Sequence, residues 1–153
     1  MPSPTYAIAA DHAGFRLKAQ LKAHLESRGI EVRDFGVDAT ESVDYPDYAH
    51  PVAAAVASGE VAFGLLCCGT GVGMSMAANK YPSVRAVVCS DVFSAAMARA
   101  HNDANVLCLG ERVVGIGLAV QILDRFVDGE FEGGRHQRRV GKIARSGEPE
   151  STS

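Results

Sequence analysis

Four short segments, 6–10, 62–67, 85–89 and 105–109, are apolar almost from end to end, and that uniformity constrains the fold more than any other feature of the chain. A strand with one wet face alternates polar and apolar residues. A strand without alternation has both faces covered, which points to a parallel sheet flanked by helices. A fifth segment, 30–35, does alternate and reads as a strand at an edge.

Helical patterns fill the intervals. Leu17, Leu21 and Leu25 recur four apart within 14–28, Lys18, Lys22 and Glu26 occupy another face, and Gly29 supplies a stop. Ser90 or Asp91 caps a helix over 91–101, and Ile116, Val120, Leu123 and Val127 form a stripe across 113–127. Shorter helices are expected over 47–58, from about Gly71, and over 135–145. This alternation predicts a Rossmann-like three-layer α/β/α sandwich with a parallel sheet of about five strands. A single domain over 1–145 is expected, and the tail 146–153, which has no apolar residue, reads as flexible.

With 153 residues, 47% of them hydrophobic, the chain can bury a sizeable core. A formal net charge of −3 excludes the broad basic field of a nucleic-acid protein. No apolar run approaches the roughly 20 residues of a membrane span. The first five residues lack the basic flank and apolar core of a secretory leader, and cysteines 67, 68, 89 and 108 form no Cys-x-x-Cys pair. Both observations point to a reducing cytoplasm. Adjacent Cys67 and Cys68 project to opposite faces of a strand, so at most one faces a pocket.

Ligands of open parallel sheets gather beyond the carboxyl ends of the strands. The residues there are Asp11-His12-Ala13-Gly14, Cys68-Gly69-Thr70-Gly71-Val72-Gly73, Ser90-Asp91 and Gly110-Glu111-Arg112. The glycine loop lets backbone amides surround an anion, although it is neither a dinucleotide fingerprint nor a Walker A loop and taken alone fits a tight turn equally well. Cys68 at its mouth, where amides and the dipole of the following helix favour a thiolate, is a candidate base or nucleophile; Cys89 and Cys108 read as packing residues. His12 and His101 suit proton transfer near neutrality, although a lone histidine placed like His101 more often serves as a helix C-terminal cation. Arg135, Arg138, Arg139, Lys142 and Arg145 gather five of the fifteen basic residues in one short stretch. Arg135 and Arg139 share a helix face and can grip one phosphate, the alternative being an ordinary solvated basic helix.

In combination, Asp11-His12-Ala13-Gly14-Phe15, Asp44-Tyr45-Pro46-Asp47-Tyr48-Ala49, Cys68 through Gly73, Ala77-Ala78-Asn79-Lys80, Arg85-Ala86, His101-Asn102-Asp103-Ala104-Asn105, Gly110-Glu111-Arg112 and Gly133-Gly134-Arg135-His136 carry a resemblance over nearly the whole chain. The sequence resembles the type B ribose-5-phosphate isomerase family, which includes the galactose-6-phosphate isomerase subunits. The resemblance implies a metal-free, cofactor-free aldose–ketose isomerase of the pentose phosphate pathway. It would interconvert ribose 5-phosphate and ribulose 5-phosphate through ring opening and a cis-enediolate.

The same resemblance implies roles for individual residues. His101, helped by Asp11, would open the ring, and Cys68 would move the proton between C2 and C1. Thr70 would shift a proton between O1 and O2 while amides of Gly69, Thr70, Gly71, Val72 and Gly73 hold the enediolate charge. Asn102 would bind the same oxygens, Tyr45 would line the sugar pocket, and His12, Arg112, Arg135 and Arg139 would anchor the phosphate. Some members use a glutamate just after the glycine loop as base; here Met74 stands there, and a thioether is no base, so the chain resembles the cysteine branch. Members form homodimers, some pairing into homotetramers, with pockets completed by the partner. By that likeness His101, Asn102, Arg112, Arg135 and Arg139 do not all come from the subunit that supplies Cys68. The competing readings are an isomerase of another sugar phosphate, such as allose 6-phosphate or galactose 6-phosphate, and a non-catalytic phosphate or nucleotide sensor. A thiol redox protein is disfavoured because Cys67-Cys68 lacks a resolving cysteine at a useful spacing.

Overall fold

The structure, a computed structural model, describes residues 4–145 together with 147 and 148; the rest of the tail expected to be flexible lies outside the described residues. Strands β1 (Tyr6–Ala10), β2 (Val32–Asp34), β3 (Phe63–Cys68), β4 (Ala86–Val88) and β5 (Val106–Gly110) alternate with helices. The helices are α1 (Phe15–Ser27), α2 (Tyr45–Ala57), α3 (Val72–Ala78), α4 (Val92–Asn102), α5 (Ile116–Asp128) and α6 (Arg135–Gly141). Every strand pairing is parallel, in the order β2-β1-β3-β5-β4.

The alternation of side chains along each strand divides the core in two. On one face Ile8, Leu65, Leu107 and Leu109 pack against Leu17, Leu21 and Leu25 of α1, Ala95 and Ala98 of α4, and Ile122, Leu123 and Phe126 of α5. On the other face Ala7, Ala9, Leu66 and Val106 meet Ala49, Val52 and Val56 of α2 and Met74 and Ala78 of α3. The second face is lined with small residues, so α2 lies close to the sheet. A side chain at Gly64 in β3 would come within 2.7 Å of the Val52 Cγ1. The chain is therefore the expected three-layer sandwich, and burying each large aliphatic side chain of its core contributes about 1.5–3 kcal/mol.

Several local expectations hold. Alternating β2 is an edge strand; Asp91 caps α4 by accepting the Ser94 N–H at 2.7 Å; Gly29 adopts φ +77° just past α1. Three differ. The apolar segment at 85–89 is not covered on both faces. β5 inserts between β3 and β4, which leaves β4 at the other edge with three residues and Val88 40% exposed. α5 starts at Ile116 rather than 113, because the N–H groups of Val113 and Val114 both donate to the Gly110 carbonyl and hold 110–114 as a turn. α6 ends at Gly141, short of 145.

The turns after β1 and β5 both wedge against the end of β3. A Cβ at Gly14 would lie 2.3 Å from the Cys67 carbonyl carbon, and one at Gly110 would lie 2.6 Å from the Thr70 backbone. Neither obstacle is a side chain that could rotate away. Gly14→Ala should therefore lower the free energy of unfolding by about 1–3 kcal/mol, seen as a lower urea midpoint at unchanged slope. An unchanged midpoint would show that this edge of the sheet yields freely.

Candidate active site

β1 and β3 are neighbours, and the chain leaves β1 toward β2 on one side while β3 lies on the other. Their carboxyl ends therefore flank the crevice in which doubly wound sheets bind ligands. Asp11 follows β1 and is 6% exposed; its Oδ1 accepts the N–H groups of Ala13 at 2.9 Å and Gly14 at 3.1 Å. His12 comes next, with Nδ1 accepting the Val43 N–H at 3.1 Å. β3 ends at Cys68, whose Sγ accepts the Gly71 N–H at 3.0 Å. Gly71 holds φ +82°, where a side chain would also press on Val88 and the Leu109 backbone. The Thr70 Oγ1 accepts the Val72 N–H at 3.2 Å.

Three further elements close on this loop. The Tyr45 ring, on the first residue of α2, lies where a side chain at Gly73 would be, 2.7 Å from the position of its Cβ. Arg112 donates its backbone N–H to the Gly69 carbonyl, and its exposed side chain runs past Gly69 beside Ala13. Glu111 turns the other way, and its Oε1 caps α1 by accepting the Leu17 N–H at 2.7 Å. Asp11, His12, Tyr45, Cys68 through Gly73 and Arg112 thus gather at one edge.

The four thiols divide as the strand geometry requires. Cys67 points into the α1 side of the core and Cys68 into the α2 side. Burial raises the Cys67 and Cys108 thiols well above their ordinary value and pushes Cys89 up to about 11, so all three stay protonated near neutrality. Cys68 is 5% exposed. Among the described residues its sulfur accepts one hydrogen bond, from the Gly71 amide at the start of a helix 7 residues long.

His101, Asn102, Arg135 and Arg139 are elsewhere. His101 and Asn102 end α4, the helix that descends from β4 back to the start of β5, so they lie at the amino edge of the sheet. There His101, Asn102 and Arg139 line a cavity of about 340 Å³ together with His136, Val140 and Ile143. A larger cavity of about 730 Å³ lies beside it, between segment 79–87 and α6, and also includes Asn102. Cys68 lines neither. Arg135 opens α6 next to His136 and is exposed. Among the described residues no hydrogen bond or ion pair joins the two groups.

His101, Glu132 and His136 bring two imidazole nitrogens and a carboxylate oxygen within 4.8 Å of one another, a donor set that in composition would suit zinc. The two imidazoles, however, are stacked with planes 6° apart and centroids 4.1 Å apart. A ring nitrogen directs its lone pair in the ring plane, and one ion cannot lie in both planes. Arg135 and Arg139 add positive charge beside His136. The stack fits neutral rings better than a cation.

The comparison with known proteins agrees with this geometry. The Ribose/Galactose Isomerase family matches residues 6–143. The chain belongs to that family. Ribose-5-phosphate isomerase B of Escherichia coli is 56% identical over 137 residues, covering 90% of this chain and 92% of that protein. The structure of Clostridium thermocellum ribose-5-phosphate isomerase B aligns with a TM-score of 0.90 at 54% identity, over 91% of this chain and 94% of that one. D-erythrulose-4-phosphate isomerase of Pectobacterium atrosepticum is 44% identical over 138 residues, covering 90% of this chain and 91% of that protein.

In this ribose/galactose isomerase family member, reading the sequence alone assigns no role to Glu132, and His136 enters only as the end of the Gly133-Gly134-Arg135-His136 motif. The signal was present: a Gly-Gly pair turns the chain sharply between them, and four-residue spacing brings them together. Limited alkylation of the native protein with iodoacetamide, mapped by mass spectrometry, should modify Cys68 ahead of Cys67, Cys89 and Cys108. Earlier labelling of Cys89 would contradict the division of the thiols.

Proposed function

We propose that the chain is an aldose–ketose isomerase that interconverts ribose 5-phosphate and ribulose 5-phosphate, each active site being built from two copies of the chain. The observation that carries the reading is the Cys68 sulfur, which accepts the Gly71 amide of the glycine loop at the end of β3, the sheet edge that also carries Asp11 and Arg112. In its thiolate form a cysteine can take a carbon-bound proton, and the loop places this sulfur beside backbone amides.

In this reading His101 takes the proton of the anomeric hydroxyl and delivers one to the ring oxygen as the C1–O4 bond breaks, leaving the open aldehyde. The Cys68 thiolate then takes the proton from C2, and the electron pair moves into the C1–C2 bond as charge gathers on O1. Loop amides from Gly69 to Gly73 stabilise that oxyanion, and the Thr70 hydroxyl passes a proton between O2 and O1. Return of the Cys68 proton to C1 leaves the ketone at C2. The electrons that leave C2 return at C1, so the sequence balances without an external oxidant, reductant or metal.

Two copies are required because a single subunit keeps the two proton-transfer groups apart. α4 has 11 residues, about 16 Å at the rise of an α-helix, and it carries His101 away from the carboxyl edge. Ring opening and enolisation act on adjacent carbons. His101 and Asn102 of one copy therefore meet Cys68 of the other in a homodimer, with pairing into a tetramer open to it. Arg112 stays with Cys68, so the phosphate lies between His12 and Arg112 on one side and Arg135 and Arg139 on the other. Among the described residues no helix is long and apolar enough to cross a membrane. We place the enzyme in the cytoplasm, in the pentose phosphate pathway.

The competing substrates are allose 6-phosphate, galactose 6-phosphate and the four-carbon sugar phosphate for which the Pectobacterium relative is named. A panel assay should rank ribose 5-phosphate first in kcat/KM. Cys68→Ser should lower kcat by about 10²–10⁴-fold with the fold intact, since the loss is that of a general base. Mixing inactive Cys68→Ala and His101→Asn subunits in equal amounts should restore about a quarter of wild-type activity, because half the dimers are then hybrid and each has one intact site. No recovery after subunit exchange would place both residues in one subunit. Ribose 5-phosphate that binds without conversion or deuterium uptake would leave a sensor.

A further inference from the structure

We propose that His136 and Glu132 are positioning residues for His101: His136 is the platform on which the His101 ring lies, and Glu132 holds a carboxylate at the Nε2 edge of both rings. The proposal rests on the ring-opening role given to His101 above and names the groups that make it effective.

The two imidazoles are not equivalent. The His136 side chain is 9% exposed and that of His101 is 38% exposed, so the inner ring is fixed by packing and the outer one keeps an open edge. Face-to-face stacking at 4.1 Å then sets the plane of His101. Among the described residues the buried His136 Nε2 has no hydrogen-bond partner, so no bond at that nitrogen orients the platform.

Glu132 reaches the pair by a separate route. Its backbone N–H donates to the Ala100 carbonyl at 3.0 Å, which pins the chain to the last turn of α4 beside His101. Gly133 and Gly134, with φ of +68° and +57°, then turn it directly into α6. One oxygen, Oε1, consequently lies 3.7 Å from the His101 Nε2 and 3.6 Å from the His136 Nε2. These separations are too long for hydrogen bonds and short enough for charge to act.

Ring opening makes His101 transiently an imidazolium. A carboxylate at its edge and an uncharged ring beneath it both favour that state, whereas a second imidazolium would oppose it. Burial, followed by the charges of His101 and Arg135, lowers the proton affinity of His136; Glu132 opposes this and Arg139 adds to it. The platform is thereby kept neutral while the ring above it cycles.

Ribulose 5-phosphate supplies the control. Its O5 is esterified, so it has no furanose form, and enolisation from it bypasses ring opening. His136→Ala and Glu132→Gln should each lower kcat for ribose 5-phosphate by about tenfold or more. In D₂O, the loss of the C1–H signal of ribulose 5-phosphate, which counts both exchange and conversion, should stay within about twofold of wild type. His136→Phe, which keeps a flat ring, should recover most of the loss. Glu132 is 57% exposed, so its substitution serves the test even where His136→Ala disturbs the fold. Equal loss in both assays, or none in either, overturns the proposal. A wild-type protein that performs neither reaction rejects the isomerase reading itself.

Discussion

All strands run the same way, and the placement of the chemistry follows from that. In a parallel sheet a residue just after a strand lies at the carboxyl edge, and a residue ending the next helix lies at the amino edge. Asp11, Cys68 and Arg112 are of the first kind; His101 and Asn102 are of the second. No loop movement of ordinary size carries the end of α4 across the sheet. In the proposed mechanism association is consequently part of catalysis, and assembly of the oligomer completes the pocket as well as stabilising the chain.

At the carboxyl edge, close backbone approach is what makes the site. Gly14 and Gly110 let the turns after β1 and β5 press on the end of β3, and Gly71 lets the loop double back over Leu109. Two carboxylates are then drawn into backbone work. Asp11 holds the β1–α1 turn through Oδ1, and Glu111 caps α1. Buried Lys18 adds a third tie, donating to the Asp34 Oδ1 and to the Val37 carbonyl, both at 2.8 Å. The exposed Arg112 side chain lies at the rim of the loop, a charge placement suited to a phosphate ester.

What could be read from the sequence was local. Uniform apolar runs located β1, β3 and β5, the Asp91 cap located α4, and strand alternation separated Cys67 from Cys68. The insertion of β5 between β3 and β4 could not be read, because an edge strand that remains half-covered can be as apolar as a central one. The start of α5 was missed because 113–115 carry acceptable helix residues, and the turn depends on the Gly110 carbonyl receiving two amides. The edge to which His101 belongs was legible in principle: a residue that ends a helix before a parallel strand lies opposite the strand ends. The stack with His136 was not, since it depends on how α6 docks against α4.

The two histidines at the ends of the proposed pocket are held in different ways, and the difference fits the tasks proposed for them. His12 accepts the Val43 N–H at Nδ1, so its hydrogen is on Nε2 and the ring offers a donor without a charge. The segment that supplies Val43 follows the stretch that Lys18 ties down at Asp34 and Val37. A phosphate gripped there would take its hydrogen bond from His12 and its neutralising charge from arginines, which stay protonated across the physiological range. Among the described residues His101 has no such backbone bond fixing either nitrogen; a ring lies beneath it and a carboxylate at its edge. That leaves it free to gain and lose a proton without breaking the fold, which ring opening demands and phosphate anchoring does not.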